Sequence, residues 1–148
     1  GMIIENNDIY GANRAGVELC GSVKGISIEN NYFDHLGYIW NGSAYAQSNA
    51  AANDPSNIKY GQAINLIRTN TIVTTYPQDE QNYLQDITLS GNTISNCEKN
   101  GIYTGPMQKN LNINNNNISS CNWNDICLDE SGTYHAGKTG FCSKEPLR

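Results

Sequence analysis

Charge is the first thing this sequence lacks. Only 16% of its 148 residues are Asp, Glu, Lys or Arg, and the nine basic ones form no cluster. Phosphate backbones are held by grouped Lys and Arg. That scarcity, with a pI near 4.8, argues against a nucleic-acid partner. Long apolar runs are missing too: no stretch approaches the 18 residues that a membrane-spanning helix needs, so no membrane partner is predicted. There is no signal peptide, although Gly1 ahead of Met2 looks like a residue left by cloning, which leaves room for a native leader. Apolar residues make up 38%, under the roughly 45–50% of an average domain. Such a deficit marks disorder when net charge is high, but here the formal charge is only −5. Cysteines number five, so a complete set of disulfides cannot be assumed.

Asparagine fills the gap. The chain carries 23 Asn and 14 Gly, the residues that close tight turns and tolerate the left-handed backbone. Its length suits a single domain, so 1–148 reads as one folding unit.

An internal repeat organises it. The pattern Ile or Leu, two residues, Asn, one residue, Ile or Phe occurs at Ile4/Asn7/Ile9, Ile28/Asn31/Phe33, Ile67/Asn70/Ile72, Leu89/Asn92/Ile94 and Ile113/Asn116/Ile118. Asn7 to Asn31 and Asn92 to Asn116 are both steps of 24 residues. Ten residues after these Asn a second apolar phase recurs, in "GVEL" (Val17, Leu19), "GIYT" (Ile102) and "DICL" (Ile126, Leu128). Short alternating segments of this kind are strands with one face inward. A 24-residue step holding about three strands is one coil of a solenoid, in which each residue lies over its counterpart one coil earlier.

On those motifs the chain resembles the right-handed parallel β-helices of the pectate-lyase-like family, over roughly Met2 to Leu128. The resemblance implies an all-β solenoid of about five coils. It also implies an Asn ladder in which Asn7, Asn31, Asn70, Asn92 and Asn116 occupy a left-handed turn position. The physics agrees, because a column of amides can donate and accept along the stack, with Ile9, Phe33, Ile72, Ile94 and Ile118 as an apolar column beside it. Cys97 and Cys121, also 24 apart, should stack. Two buried free thiols are the plainer reading, and a disulfide between coils is the alternative. Zinc is disfavoured, since no Cys-x-x-Cys pair exists.

The pattern breaks between Asn31 and Asn92, and such breaks mark loops on one face. The segment 38–61 is an inserted surface loop. If "AINL" (Ala63 to Leu66) is equivalent to "GVEL", the insertion precedes that strand; if "GYIW" is the equivalent, "AINL" belongs to the next strand. Asp79 and Glu80 stand where an apolar strand is due. An acidic pair there reads as a cation or sugar contact, or more plainly as a solvated loop.

The resemblance implies a cleft along the "GVEL" strands, with a polysaccharide as partner, Ca2+ as the family's cofactor and extracellular, cell-surface or virion location. Outward residues of those strands, Glu18, Asn65, Tyr103 and Cys127, would line it. Asp34 and His35 follow Phe33, and a carboxylate can orient and tune a neighbouring imidazole. The candidate catalytic residues are therefore Asp34, His35, Glu18 and Glu80, although the family's acidic trio with its Arg does not map onto this chain. Tyr38, Trp40, Tyr103 and Trp123 are candidate sugar contacts, because flat rings with polar tips suit sugar faces, and Asn65 is a further one as an outward residue of the cleft strands. Packing is the alternative for each. The chain begins in mid-pattern, so either further coils or an assembly, end-to-end or trimeric, is expected to cover that end. Residues 129–148 are expected to cap the other. Two functions follow as expectations. One is a β-helix acting on an acidic polysaccharide as lyase, hydrolase or epimerase. The other is a non-enzymatic glycan-binding or structural β-helix of the tailspike or adhesin kind.

Overall fold

The computed structural model describes residues 1–47, 61–67, 83–105 and 108–128. Among them every regular element is a strand. Three strands in succession make a coil: β1 (Met2–Glu5), β2 (Asp8–Tyr10) and β3 (Ala15–Cys20) form the first. β4 (Lys24–Glu29), β5 (Tyr32–Leu36) and β8 (Gln62–Ile67) form the second. β9 (Leu84–Ser90), β10 (Thr93–Cys97) and β11 (Ile102–Thr104) form the third, and β12 (Gln108–Asn114), β13 (Asn117–Ser119) and β14 (Ile126–Leu128) the fourth. The strands stack into three parallel sheets, β1-β4-β9-β12, β2-β5-β10-β13 and β3-β8-β11-β14. The protein is a parallel β-helix.

The register follows the repeat. Ile9, Phe33, Ile94 and Ile118 lie directly over one another, as do Val17, Ile64, Ile102 and Ile126. Ile28, Phe33, Ile64, Leu89, Ile94 and Ile102 are fully buried, each worth about 1.5–3 kcal/mol of hydrophobic stabilisation. Gly16 makes room for the bulkiest of them, since a Cβ there would stand 2.6 Å from the Phe33 ring.

Beside this core runs the Asn ladder. Asn7 donates its backbone N–H and Nδ2 to Asn31 Oδ1, both at 3.0 Å. Asn31 does the same to Asn92 at 3.0 and 3.1 Å, and Asn92 to Asn116 at 3.0 and 2.9 Å. The second Nδ2 hydrogens go to main-chain carbonyls, as from Asn92 to Ile28 at 2.9 Å.

Two expectations need correction, and one open alternative is resolved. The described residues form four coils, and Asn31 bonds directly to Asn92, so no rung is left between them for Asn70. Asn70 and Ile72 lie outside the described residues, while Ile67 ends β8 over Cys20. The ladder Asn are not the left-handed residues either. The positive φ belongs to the residue before each, Asn6, Asn30, Gly91 and Asn115 (φ 53 to 64°), because that residue turns the chain and the ladder Asn must aim its amide inward. Lastly, "AINL" pairs with β3 and β11, which places the insertion before that strand. Its start is a hairpin: β6 (Tyr38–Trp40) runs antiparallel to β7 (Tyr45–Gln47), so "GYIW" is no coil strand.

A second ladder was not anticipated. Asn100 donates N–H and Nδ2 to Gln62 Oε1 at 3.1 and 2.8 Å, and Asn124 donates to Asn100 Oδ1 at 3.3 and 3.0 Å. It ends at Gln62, whose buried Nε2 has no partner, because the first coil has Ala15 at that register.

Candidate functional site

The candidate residues divide between two faces. Glu18, Asn65, Tyr103 and Cys127 form one outward column on the β3-β8-β11-β14 sheet. Glu18 takes a two-point contact from Arg14, at 2.9 and 2.6 Å, and a bond from Asn65 Nδ2 at 3.1 Å. This column is not an open cleft. Asn65 and Cys127 are 0% exposed and Tyr103 is 2% exposed, and Cys127 is disulfide-bonded. Tyr103 packs with Ile67, Cys127 and Trp123, and the Lys99 ammonium lies 5.1 Å from the Trp123 ring centre. Both aromatic rings expected to meet sugar on this sheet are engaged in packing.

Asp34 and His35 stand elsewhere, on β5, with the insertion hairpin folded against them. His35 has a left-handed backbone (φ 58°), as do Gly11, Asn96 and Ser120 at the end of the same sheet in the other coils. The chain turns a corner there, and the imidazole is carried outward. Its Nδ1–H donates to Asp34 Oδ2 at 2.6 Å, which leaves the lone pair on Nε2. Asp34 Oδ1 accepts from Ser95 Oγ at 2.8 Å and Asn96 Nδ2 at 2.7 Å. Burial works to raise the Asp34 pKa, but the bonds from Asn96, His35 and Ser95 outweigh it and hold the carboxyl below its ordinary range. A carboxylate engaged in this way holds Ser95, Asn96 and His35 in place.

Two groups of rings lie around the pair. His35 stacks on Tyr45, centroids 4.1 Å apart and planes at 16°, and meets Tyr38 edge-on at 5.6 Å. Trp40 lies across Tyr45 at 5.4 Å. Tyr45 in turn rests on Gly11, where a Cβ would come within 2.8 Å of its ring. Next to Gly11, Tyr10 meets Tyr32 at 5.6 Å. Trp40 is 59% and Tyr10 52% exposed. Glu98 ties the hairpin to the coils, accepting from Gln47 and, at 3.2 Å, from Asn122. Burial and a bond to Glu98 raise the Tyr38 pKa.

The sequence singled out Asp34, His35, Tyr38 and Trp40, and the structure brings these four together. It missed Tyr10, Tyr32 and Tyr45. The signal was present for Tyr10 and Tyr32, which lie beside Ile9 and Phe33 on outward positions of the repeat. Glu80 lies outside the described residues, as do Asp79 and 129–148. Among the described residues no three His, Cys, Asp or Glu side chains gather where they could hold a metal ion. No family model, curated protein or solved structure matches the chain.

Proposed function

We propose that this chain is a β-helical glycan-binding module that takes a polysaccharide across the ring band Tyr32–Tyr10–Tyr45–Trp40. The observation that carries the reading is the exposure of Trp40 and Tyr10, at 59% and 52%, each packed against a second ring, Tyr45 and Tyr32. Rigid aromatic faces bind sugar rings with little loss of side-chain freedom. The charges beside the band are the carboxylates of Asp8, Asp34 and Glu98, which favours a neutral glycan over a uronate polymer. Cys127 in a disulfide suits an oxidising, extracellular setting.

The test is affinity electrophoresis through gels holding neutral or acidic polysaccharides. Retardation by a neutral glycan, weakened at least about tenfold in Trp40→Ala, a loss of about 1.4 kcal/mol, is the expected result. Equal retardation of the variant would remove the band as the site.

One observation favours a second reading, cleavage of the bound glycan. With Nδ1–H held by Asp34, His35 presents Nε2 as a general base next to the rings. That is the pectate-lyase-like reading in its enzymatic form. New reducing ends or unsaturated uronate absorbance, lost in His35→Ala, would support it.

A further inference from the structure

Asn is followed by Gly twice in the chain, at Asn41–Gly42 and Asn100–Gly101, and the fold treats the two pairs in opposite ways. Asn41 and Gly42 lie in the exposed turn between β6 and β7. Asn41 Oδ1 accepts from the Ser43 N–H at 3.0 Å, from Ser43 Oγ at 3.1 Å and from the Ala44 N–H at 3.0 Å. Among the described residues, Asn41 Nδ2 and the Gly42 N–H have no hydrogen-bond partner. A Cβ at Gly42 would meet nothing within 4 Å, so the turn stands in open space. Asn100 is buried instead, its N–H and Nδ2 held by Gln62 Oε1 at 3.1 and 2.8 Å and its Oδ1 taken by Asn124. Gly101 N–H donates to Asn124 O at 3.0 Å, and a Cβ there would stand 2.7 Å from both Asp125 O and Ile118 Cγ2.

We propose that Asn41 is a self-modification site: in the folded protein the Gly42 nitrogen attacks Asn41 Cγ and converts the side chain, through a cyclic imide, to aspartate and isoaspartate. The Gly42 nitrogen gives its proton to solvent and bonds to Cγ. The bond from Cγ to Nδ2 breaks, and that nitrogen leaves as ammonia. Water then opens the ring at Cγ, which gives aspartate, or at the main-chain carbonyl, which gives isoaspartate. Water enters and ammonia leaves, so no oxidant or reductant is needed. The turn assists each part. Negative charge develops on Oδ1 as Cγ is attacked, and three donors already point at that oxygen. The attacking nitrogen has no hydrogen bond to give up, and without a Cβ on its residue it can approach closely. At Asn100 both the attacking and the leaving nitrogen are bonded, so ring closure there must wait for the third coil to open. The product places a carboxylate next to Trp40. Isoaspartate also adds a methylene to the main chain of the turn, where the Asn41 N–H donates to Ala44 O at 3.0 Å.

Peptide mass analysis of the full chain during incubation at mildly alkaline pH, folded and in urea sufficient to unfold it, tests this. In the folded protein aspartate and isoaspartate should accumulate at Asn41 at least about tenfold faster than at Asn100, which reacts only from the opened coil. In urea the two sites should convert at similar rates. Ser43→Ala removes one of the three donors and should slow Asn41 in the folded protein by about tenfold or more, the scale of one such donor, while its rate in urea stays unchanged. Ser43 is exposed, so an unchanged urea midpoint confirms that the variant keeps its fold. Asn41 left intact in the folded protein while both sites convert in urea would overturn the proposal. So would equal conversion of Asn41 and Asn100 in the folded protein, or a Ser43→Ala rate equal to that of the wild type.

Discussion

Asn31 and Asn92 are 61 residues apart in the chain and one coil apart in the fold, with Asn92 Oδ1 accepting both the N–H and the Nδ2–H of Asn31 at 3.0 and 3.1 Å. That bond closes the solenoid across two interruptions of the repeat. It shows that successive rungs need not be 24 residues apart, provided that the ladder position and its apolar neighbours return in phase. A loop's closure entropy grows only slowly with its length, so the extra chain weakens the stack little.

Replacing Asn92 with Leu should therefore be costly. It strands the Asn31 donors and the Asn116 acceptor in a buried setting, at roughly 1–3 kcal/mol for each group left unpaired. Asn7→Leu should cost clearly less, since Asn7 is exposed and has one ladder neighbour. Urea midpoints measure both. Equal losses, or none at Asn92, would show that the ladder contributes nothing beyond packing.

Gly91→Ala tests the left-handed column. The φ of Gly91 is 64°, and an added Cβ would land on Asn30 Oδ1. A left-handed L-residue costs roughly 1–2 kcal/mol, and the contact adds to it. Asn115→Gly, at φ 53° in the same column, should change stability by less than about 1 kcal/mol. Similar losses in the two variants would mean that the backbone conformation is not what the column selects.

How much of this was readable beforehand depended on which residues repeat in every coil. Ile9, Phe33, Ile94 and Ile118 recur in phase, so the fold and its register could be read from spacing. Asn70 misled because the motif is only three fixed positions long, and Ile67 satisfied it while ending a different strand. The left-handed residue was misplaced by one because Asn tolerates that conformation and both positions carry Asn in most coils. The aromatic band was only half visible. Nothing in a periodic pattern says onto which face an insertion folds, so the meeting of Tyr45 with His35, ten residues apart, had to be seen.

The cysteines should differ sharply in reactivity. Cys97 is fully buried, and hydrogen bonding of its thiol to the Cys121 sulfur together with burial pushes its pKa well up, which suppresses the reactive thiolate. Cys20 is an exposed free thiol. Pulse alkylation of the native protein followed by peptide mass analysis should label Cys20 rapidly and Cys97 only at the rate of unfolding. Rapid labelling of Cys97 under native conditions would contradict the packing of that coil.

Asp34 should give the fold a measurable dependence on acid. Its pKa is lowered from 3.8 by three hydrogen bonds that prevail over burial. A carboxyl with a depressed folded pKa contributes stability that is fully present above its unfolded pKa and is lost as pH falls through the folded value. Asp34→Asn keeps the shape but sets an amide NH2 where Ser95, Asn96 or His35 donates, so at neutral pH it should be less stable than the wild type. Protonation removes the same advantage from the wild type, so the gap between the two should narrow as pH falls from about 5 toward about 2. Urea unfolding across that range measures the gap. A gap that stays constant would show that the carboxylate's charge contributes nothing to stability.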